Sequence, residues 1–548
     1  MCNTHDHKNS GINKNVKRRY GSAVQHGVAH QRDHALKSRR NFLKSTGLFS
    51  MGSAMMLGSV PITSILPNNF MSGLASSACE NRTLLLLRLS GGNDGLNTII
   101  PRFNNEYYDI RPNIAIPESN LWGLDDSYGM PNFMQDLQPS WEEGRMKVIH
   151  NVGYPDANYS HFRSSDIWAS SSDSNEFVDT GWIGRMMETN FPAYTEAPPA
   201  VPPALQIGVQ TNMIFRAAVG SMALSISNPT EFYQIAQSGQ LYNTANLGSA
   251  EKKQELAYVR GVANSSFRYS ETIREAYNRA SNDVDYNADG LANQLRIISR
   301  LIKGNLGTKV YMVTIGGYDT HANQEFQHAR LMDYVAKGIK SFYEDLRVTG
   351  QAEDVLTMTF SEFGRTIFEN GSQGTDHGTG GPMMVFGEDI GNGFVGEGPD
   401  IVNVDEYGDP FHSVDFRTVY GTILRDWLCV DEDIVDEVVG SKHDKIDGLV
   451  PPGDPAVGQS DTASLQGYNP SPTPGMIQIK YSILQRGNVV IQIQKENGNT
   501  LRTVMNDFKE KGSHVFELNP ARFYLSNGKY KLRLMTGGRA YSKPMEID

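Results

Sequence analysis

The sequence predicts an α/β fold, with a mostly parallel sheet flanked by helices, followed by a small C-terminal β-sandwich. Short, nearly continuous apolar runs predict the sheet, because strands buried on both faces lack alternation with polar residues. Helical patterns between these runs imply a layered α/β architecture. Beyond residue 475 the pattern changes to short, regularly spaced strands with Gly or Asn turns, which is typical of a β-sandwich.

Five apolar runs predict strands of one sheet, and two segments between them predict helices. The predicted strands are 83–89, 147–150, 309–315, 355–360 and 383–386. Apolar spacing of three and four residues predicts helices over 291–301 and 329–346. In sheets of this kind, ligands bind at the carboxyl ends of the strands. Functional residues are therefore expected directly after the apolar runs.

The composition limits the functions that the chain can have. With 548 residues, of which 39% are apolar and 20% charged, the chain is long enough for more than one globular domain. Its formal net charge of −11 argues against nucleic acid as a partner, because phosphate binding needs a positive surface. The three cysteines, Cys2, Cys79 and Cys429, are too few for a Cys-rich zinc site. Any metal is then held by His, Asp, Glu, Asn or Ser.

Residues 1–80 are predicted to form a twin-arginine (Tat) signal region. Arg39 and Arg40 precede Phe-Leu-Lys and a weakly apolar stretch, 47–74, rich in Gly, Ser and Met. Prolines interrupt this stretch before it reaches the ~20 residues of a membrane span. The sequence thus predicts the Tat export machinery as a partner and a location in the periplasm, at the outer-membrane surface or outside the cell.

The mature chain is predicted to have two domains. Residues 81–450 form the α/β domain, 451–475 a linker dense in Pro, Gly, Ser and Asp, and 476–548 the β-sandwich. Signal cleavage is expected among the small residues 75–78. With Cys2 removed, at most one disulfide can form. Lipidation of Cys79 is the less favoured alternative, because the aliphatic residue expected three positions earlier is missing.

Polar clusters follow the predicted strands. They contain Asp94, Ser160, Asp319, His321, Glu362, Arg365 and His377. Each cluster alone also fits an ordinary structural role, such as an Asx turn, a helix N-cap or a local ion pair. Together they supply metal ligands, a hydroxyl group and a guanidinium. These are the functional groups that a metal-assisted displacement at phosphorus or sulfur requires.

Individual residue types suggest particular roles. Asp319 and His321 offer an oxygen and an imidazole ligand from one strand-end loop. Ser160 is the candidate nucleophile, because a bound metal lowers the pKa of a hydroxyl group. Arg365 is the candidate clamp for an oxyanion, because guanidinium binds oxyanions through two hydrogen bonds.

Five ordered motifs carry a family resemblance. They are Gly-Gly-Asn-Asp-Gly at 91–95, Tyr-Ser-His-Phe at 159–162, Gly-Gly-Tyr-Asp-Thr-His at 316–321, Ser-Glu-Phe-Gly-Arg-Thr at 361–366 and Thr-Asp-His-Gly at 375–378. The set resembles the domain of unknown function 1501 family, a sulfatase-like branch of the alkaline phosphatase superfamily. The resemblance covers roughly 84–447 and implies an alkaline-phosphatase-like fold for the α/β domain.

The resemblance also implies a site. It places the nucleophile at Ser160 and the metal ligands at Asp94, Asp319, His321, Glu362 and His377. The implied cofactor is a divalent metal, with zinc, manganese and calcium as candidates. Phe363 stands where the superfamily usually has the His of an Asp-His pair, which leaves one metal site poorer in ligands.

The C-terminal segment has a resemblance of its own. Ile-Lys-Tyr-Ser at 479–482 and Gly-Lys-Tyr at 528–530 are similar to the flagellar hook-capping-type Ig domain and to the sorting domain of type IX secretion in Bacteroidota. This likeness implies an Ig-like domain and the type IX machinery as a partner. A plain β-sandwich accessory module is the alternative.

The sequence therefore predicts an exported metal-dependent hydrolase of phosphate or sulfate esters, with a small-molecule or glycan ester as substrate. The alternative is a non-catalytic cell-surface binding protein that retains the fold. The ligand set, which is thin compared with that of the known hydrolases, favours this alternative.

The export prediction can be tested by replacing Arg39 and Arg40 with Lys. We expect the precursor to stay in the cytoplasm, because the Tat pathway requires the paired arginines. Fractionation followed by immunoblotting measures the distribution. The pair Arg18 and Arg19, which no Phe-Leu-Lys follows, provides the matched control and should be exported normally after the same replacement. Normal export of the Arg39, Arg40 variant would rule out the Tat assignment.

Overall fold

A computed structural model describes residues 55–57, 60–62, 79, 81–191, 194, 199–218, 220–237, 266–267, 269–440, 443–451, 463–483, 487–495, 500–536 and 539–547. The predicted twin-arginine motif at Arg39 and Arg40 lies outside the described residues, as does the segment 452–462 of the predicted linker. No helix among the described residues is long and apolar enough to cross a membrane.

A mixed, mostly parallel sheet forms the centre of the α/β domain. Its strands are β1 (Thr83–Ser90), β2 (Met146–Gly153), β3 (Ala204–Ile207), β4 (Ala223–Ile226), β5 (Val310–Gly316), β6 (Val355–Phe360), β7 (Gly381–Phe386), β8 (Gly393–Val395) and β9 (Val414–Asp415). They lie in the order β4-β3-β5-β1-β6-β7-β2-β8, with β9 also paired to β2. Only β7 runs antiparallel to its neighbours in this sheet. The predicted fold class is confirmed.

Helices cover both faces of this sheet. Those of the α/β domain are α1 (Asn105–Ile110), α2 (Gln138–Glu142), α3 (His161–Ser170), α4 (Trp182–Asn190), α5 (Pro229–Gln237), α6 (Gly290–Lys303), α7 (Gln324–Val348), α8 (Phe416–Thr422) and α9 (Glu432–Val438). Thr357 and Phe360 of β6 point to opposite faces, because their positions differ in parity. The hydroxyl of Tyr343 in α7 lies 3.0 Å from that of Thr357, whereas Trp168 in α3 stacks on Phe360 at 6.3 Å.

Short strands outside the sheet pair locally. They are Met55–Leu57 with Val60–Ile62, Arg216–Ala217 with Gly220–Ser221, and Tyr128–Pro131 with both Ile100–Pro101 and Leu121–Gly123.

The C-terminal strands form two antiparallel sheets around one core. They are β10 (Ala463–Pro470), β11 (Ile477–Ile483), β12 (Gly487–Gln494), β13 (Thr500–Lys509), β14 (Gly512–Leu518), β15 (Gly528–Thr536) and β16 (Arg539–Ile547). One sheet has the order β10-β11-β14 and the other β13-β12-β15-β16. Ile479 from the first sheet and Ile491 and Leu534 from the second share the core. The Ig-like and sorting assignments of this segment stay predictions.

One strand corrects the predicted linker. β10 lies inside the segment 451–475, which its Pro, Gly, Ser and Asp content indicated as a linker. Ala463 and Leu465 of this strand point into the core, and the whole strand pairs antiparallel with β11. Pairing with a distant strand stabilises this segment despite its composition, and local composition does not report such pairing.

The beginning and the end of the α/β domain are joined at one place. Cys79 forms a disulfide with Cys429, 350 residues later. Next to it, the guanidinium of Arg82 stacks on the ring of Trp427 at 4.5 Å and donates a hydrogen bond of 2.7 Å to the carbonyl of Asp426. Trp427 in turn donates to the carbonyl of Thr83, the first residue of β1. These contacts fix the first residue of β1 against the C-terminal part of the α/β domain.

Reducing this disulfide should destabilise the α/β domain by about 2–4 kcal/mol, because the cross-link limits the freedom of the unfolded chain. Guanidinium chloride unfolding with and without dithiothreitol measures the difference. The variant with both Cys79→Ser and Cys429→Ser is the control, and its midpoint should not respond to the reductant. An unchanged midpoint of the oxidised wild type on reduction would contradict the predicted stabilisation.

Candidate metal centre

Parallel pairing brings three strand-end loops together. β1 lies between β5 and β6 and runs parallel to both, so the loops after Ser90, Gly316 and Phe360 meet at one edge of the sheet. The first loop turns sharply at Gly91, whose φ is 125°. A Cβ atom there would lie 2.4 Å from the amide nitrogen of Asp319, so the close approach of the two loops requires glycine.

Three imidazoles gather around one carboxylate oxygen at this edge. Oδ1 of Asp319 lies 3.0 Å from Nε2 of His321, 3.2 Å from Nε2 of His377 and 3.5 Å from Nε2 of His161. The Nε2 atoms of His321 and His377 are 3.0 Å apart. Asp319 and His321 come from the loop after β5, His377 from the loop before β7 and His161 from the first residue of α3.

The other nitrogen of each ring faces a hydrogen-bond acceptor. Nδ1 of His161 lies 3.1 Å from Glu362 and that of His321 lies 3.1 Å from Asp376. Nδ1 of His377 lies 2.8 Å from the backbone carbonyl of Tyr159. Carbonyl and ionised carboxylate oxygens only accept hydrogen bonds, so each Nδ1 donates a proton to its partner in this network.

The Nε2 atoms of the three rings all face Oδ1 of the Asp319 carboxylate. The Nε2 atoms of His321 and His377 are close enough to share a proton or to bind the same metal ion. Histidines that bind metals characteristically donate their second N–H to a carboxylate or a backbone carbonyl, as all three rings do here. The hydrogen bonds made by the three Nδ1 atoms are therefore those expected of metal-binding histidines.

The electrostatics favour a cation at this point. Burial opposes a charge on His161, but hydrogen bonds with Asp319 and Glu362 outweigh it and raise its pKa to about 9. Burial also opposes the ionisation of Asp319, yet hydrogen bonds from the surrounding imidazoles hold its pKa well below the usual range. For His321, burial is outweighed by the hydrogen bonds to Asp319 and Asp376, and its pKa is raised. Half of the Asp319 side chain is exposed, so the centre opens to solvent.

The distances suit a small metal ion. Ligand atoms around a tetrahedral ion with bonds of ~2.0–2.1 Å lie about 3.3 Å apart, close to the 3.0–3.2 Å among Asp319, His321 and His377. One ligand atom each from His161, Asp319 and His377 also lies within 4.8 Å of the others. Imidazole suits zinc or manganese, whereas calcium prefers six to eight oxygen ligands. Calcium, one of the predicted metals, does not fit this set.

The structure does not bring Asp94 to the centre. Its Oδ2 pairs with Nη1 of the fully buried Arg111 at 2.7 Å and also accepts a hydrogen bond from Gln324. Burial raises the pKa of Asp94, but the charge and hydrogen bond of Arg111 outweigh this and lower it. The Arg111 guanidinium also donates to the carbonyls of Thr366 and Ile367. Asp94 therefore joins two loops through an ion pair.

Glu362 contacts a ligand instead of offering one. Its Oε1 accepts a hydrogen bond of 2.9 Å from the amide of Gly91 and faces Nδ1 of His161. Its Oε2 lies 3.6 Å from Arg88. The carboxylate thus orients the His161 ring, which changes the predicted role of Glu362 from metal ligand to support for a ligand.

Arg365 does not present a free guanidinium to a substrate. Its side chain is fully buried, and its nitrogens donate to the carbonyls of Gly91, Gly92, Tyr318 and Thr375. Nη2 also lies 3.0 Å from Oδ1 of Asp319. The predicted oxyanion clamp would have to give up these bonds. In this structure Arg365 holds the strand-end loops and the central carboxylate in place.

Ser160 lies at the N-cap of α3, directly before His161. Its backbone adopts the extended N-cap conformation, but its hydroxyl makes no capping hydrogen bond. The side chain is partly exposed. The hydroxyl is therefore not engaged as a helix cap, which was the structural alternative to a nucleophile.

Phe363 forms a wall of the centre. Its ring lies 4.8 Å from the ring of His161 and 4.4 Å from that of His377. Within the described part of the chain, no further group of three His, Cys, Asp or Glu side chains converges as closely.

Two residues of the centre were missed from the sequence. His161 follows Ser160 in the Tyr-Ser-His-Phe motif, and Asp376 directly precedes His377. Each is adjacent in the sequence to a residue that was predicted to belong to the site, so the two motifs already indicated them. The partner of His377 Nδ1 could not be found, because Tyr159 contributes only a backbone carbonyl.

The fold and the centre together define an α/β protein with a candidate metal site at the carboxyl edge of its sheet. The chain belongs to the family described as "Protein of unknown function (DUF1501)", whose model matches residues 140–445, more than half of the chain. No curated protein matches its sequence.

The solved structures to which the chain is similar are distant in sequence. A sulfatase from Pseudoalteromonas sp. is 10% identical, with 86% of this chain and 91% of that chain covered and a TM-score of 0.30. An alkaline phosphatase superfamily protein from Vibrio parahaemolyticus is 10% identical, with coverages of 95% and 93% and a TM-score of 0.26. The alkaline phosphatase of the Antarctic bacterium TAB5 is 8% identical, with coverages of 57% and 94% and a TM-score of 0.24. At such low identities and TM-scores, the role of a residue in those proteins cannot be assigned to a residue of this chain.

The metal centre can be tested with His321→Ala. We expect the variant to lose most of its bound metal, because one of three closely spaced ligand atoms is removed, and to lose the stabilisation that the metal gives. Mass spectrometry of metal content and thermal unfolding measure both effects. His514→Ala, at a partly exposed histidine of the C-terminal sheets, is the control and should keep the wild-type metal content. Equal metal in wild type and His321→Ala would exclude this centre.

Proposed function

We propose that this protein is a metal-dependent hydrolase of phosphate or sulfate esters that acts outside the cytoplasm after export by the Tat machinery. One observation carries the proposal, namely the convergence of three imidazoles on the Asp319 carboxylate at a solvent-open sheet edge. The residues fit a divalent metal, which when bound lowers the pKa of a nearby hydroxyl group and neutralises negative charge on an ester.

Ser160 is the proposed nucleophile. Its position at the start of α3, next to a candidate ligand, and its hydroxyl without a cap bond support this role. The Ser160 hydroxyl releases its proton to solvent, and a bond forms between its Oγ and the phosphorus or sulfur atom while the bond to the leaving oxygen breaks. The leaving oxygen takes the electron pair and then a proton, and water later releases the covalent group. The positive N-terminus of α3 favours negative charge at this place.

The remaining residues hold the ligands. Glu362 and Asp376 fix the rings of His161 and His321, and Arg365 fixes Asp319. We further propose that the C-terminal sheets serve as an accessory or sorting module. The substrate is proposed to be a small-molecule or glycan ester.

A non-catalytic binding protein at the cell surface is the second candidate. The engagement of Arg365 favours it, because the one guanidinium predicted to bind an oxyanion has its donors occupied. A metal-containing protein without activity toward any ester would support this candidate.

The catalytic role of Ser160 can be tested with Ser160→Ala, assayed on aryl phosphates and aryl sulfates with several divalent metals. We expect kcat to fall by more than roughly 10³-fold with metal content unchanged, because the covalent step is lost. Ser119→Ala, in the exposed 3-10 turn Glu118–Asn120, is the matched control and should retain full activity. Unchanged turnover in Ser160→Ala would show that Ser160 only precedes α3 and takes no part in the reaction.

A further inference from the structure

One face of the sheet β13-β12-β15-β16 is buried although it lies outside the core of the C-terminal sheets. Ile491 and Leu534 pair across β12 and β15 and belong to that core. Their neighbours Val490 and Met535 also pair with each other, and successive residues of a strand point to opposite faces, so this second pair faces outward. Val490 and Met535 are nonetheless only 1% and 5% exposed. Another part of the molecule therefore covers this face.

Arg533 lies on the same outward face and reaches the α/β domain. It precedes Met535 by two residues on β15, and its side chain is only 4% exposed. Its Nη1 forms an ion pair with Oε2 of Glu437 in α9, and β16 also lies beside α9. We call Val490, Arg533 and Met535 the docking face. Burying a guanidinium is costly unless a carboxylate pairs with it, so this ion pair marks the place where the docking face meets the α/β domain.

The carboxylates of α9 are divided between the two parts of the chain. Glu432 pairs with Arg425, which belongs to the α/β domain. Asp433 and Glu437 are one helical turn apart, and both act on Arg533. Glu437 forms the ion pair, while burial lowers the pKa of Arg533 and the charge of Asp433 opposes this lowering. The docking face thus fits an acidic helix that presents two carboxylates one turn apart.

The end of α9 is bonded to the end of α3. Arg185 of α4 donates from Nη2 to the carbonyl of Ser170, at 2.7 Å, and to the carbonyl of Val438. The hydroxyl of Ser171 donates to the carbonyl of Val439 at 3.0 Å. Ser170 is the last residue of α3 and Val438 is the last residue of α9. A restraint on α9 therefore also acts on the C-terminal end of α3.

We propose that the C-terminal module, strands β10 to β16, is an intramolecular brace that docks on α9 and thereby holds α3 in place. Helix α3 begins with the candidate ligand His161, directly after Ser160. A helix moves as one hydrogen-bonded element, so a restraint at its C-terminal end limits the motion of these residues as well. The brace depends neither on a bound metal nor on the hydrolase activity.

The test is hydrogen–deuterium exchange with mass spectrometry on the full chain in EDTA, comparing wild type with Arg533→Met. This variant keeps an apolar side chain but loses the charge. We expect the amides of α9 to exchange roughly tenfold faster and those of α3 roughly threefold faster, because truncating one partner of a buried ion pair weakens the interface and makes local opening easier. Helix α6, which packs on α7 across the sheet from α3, should exchange as in wild type.

Glu437→Gln removes the same ion pair from the side of α9 and should accelerate exchange in the same two helices. It leaves the C-terminal sheets unaltered, so it decides the outcome if Arg533→Met does not fold. Lys529→Met, at an exposed lysine of the same strand, is the control and should exchange like wild type.

Thermal unfolding establishes that each variant is folded. Wild-type exchange of α9 in the folded variants would show that the docking face does not hold this helix and would overturn the proposal. Faster exchange in α9 with α3 unchanged would overturn the brace. Equal acceleration of α6 would indicate destabilisation of the whole chain and would overturn it too.

Discussion

The guanidinium of Arg365 is the contact on which the candidate centre depends. It is fully buried and collects backbone carbonyls from the loops that follow β1 and β5 and from the loop that precedes β7. A buried charge is stable only when its donors are satisfied, and removing the partner of such a group typically costs about 3–5 kcal/mol. The same guanidinium holds Asp319, around which the imidazoles gather. One residue therefore couples the folding of the strand-end loops to the position of the central carboxylate.

The sheet supplies the frame for this contact. Because β5, β1 and β6 run parallel, their carboxyl ends and the loops that follow them lie side by side. Gly91 allows the first loop to touch the loop of Asp319, and the Asp94–Arg111 ion pair anchors the other side of the first loop. The imidazole rings are then oriented by groups outside the centre, as metal-binding histidines generally are. The chemistry is local, but its geometry is set by residues far apart in the chain.

Five of the nine strands of the central sheet and the two helices α6 and α7 could be predicted from the sequence, because apolar runs and helical spacing are local signals. The side chains of Asp319, His321 and His377 lie close together, because each follows or precedes a strand of the same sheet. The position of a residue beside a strand is also a local signal of the sequence. The roles predicted for Asp94 and Arg365 differ from the contacts that the two side chains make. Asp94 pairs with a distant arginine and Arg365 with distant backbone carbonyls, and no sequence motif reveals such partners. β10 was missed because its pairing with β11 is not visible in its composition.

The central claim is that a metal ion lies at the Asp319 carboxylate, among His161, His321 and His377. Anomalous X-ray scattering from crystals of protein purified without chelators, collected on both sides of the zinc and manganese absorption edges, tests it most directly. The geometry predicts one strong anomalous peak with ligand bonds of ~2.0–2.2 Å to these side chains. A peak elsewhere in the molecule, or none from protein supplied with both metals, would contradict it.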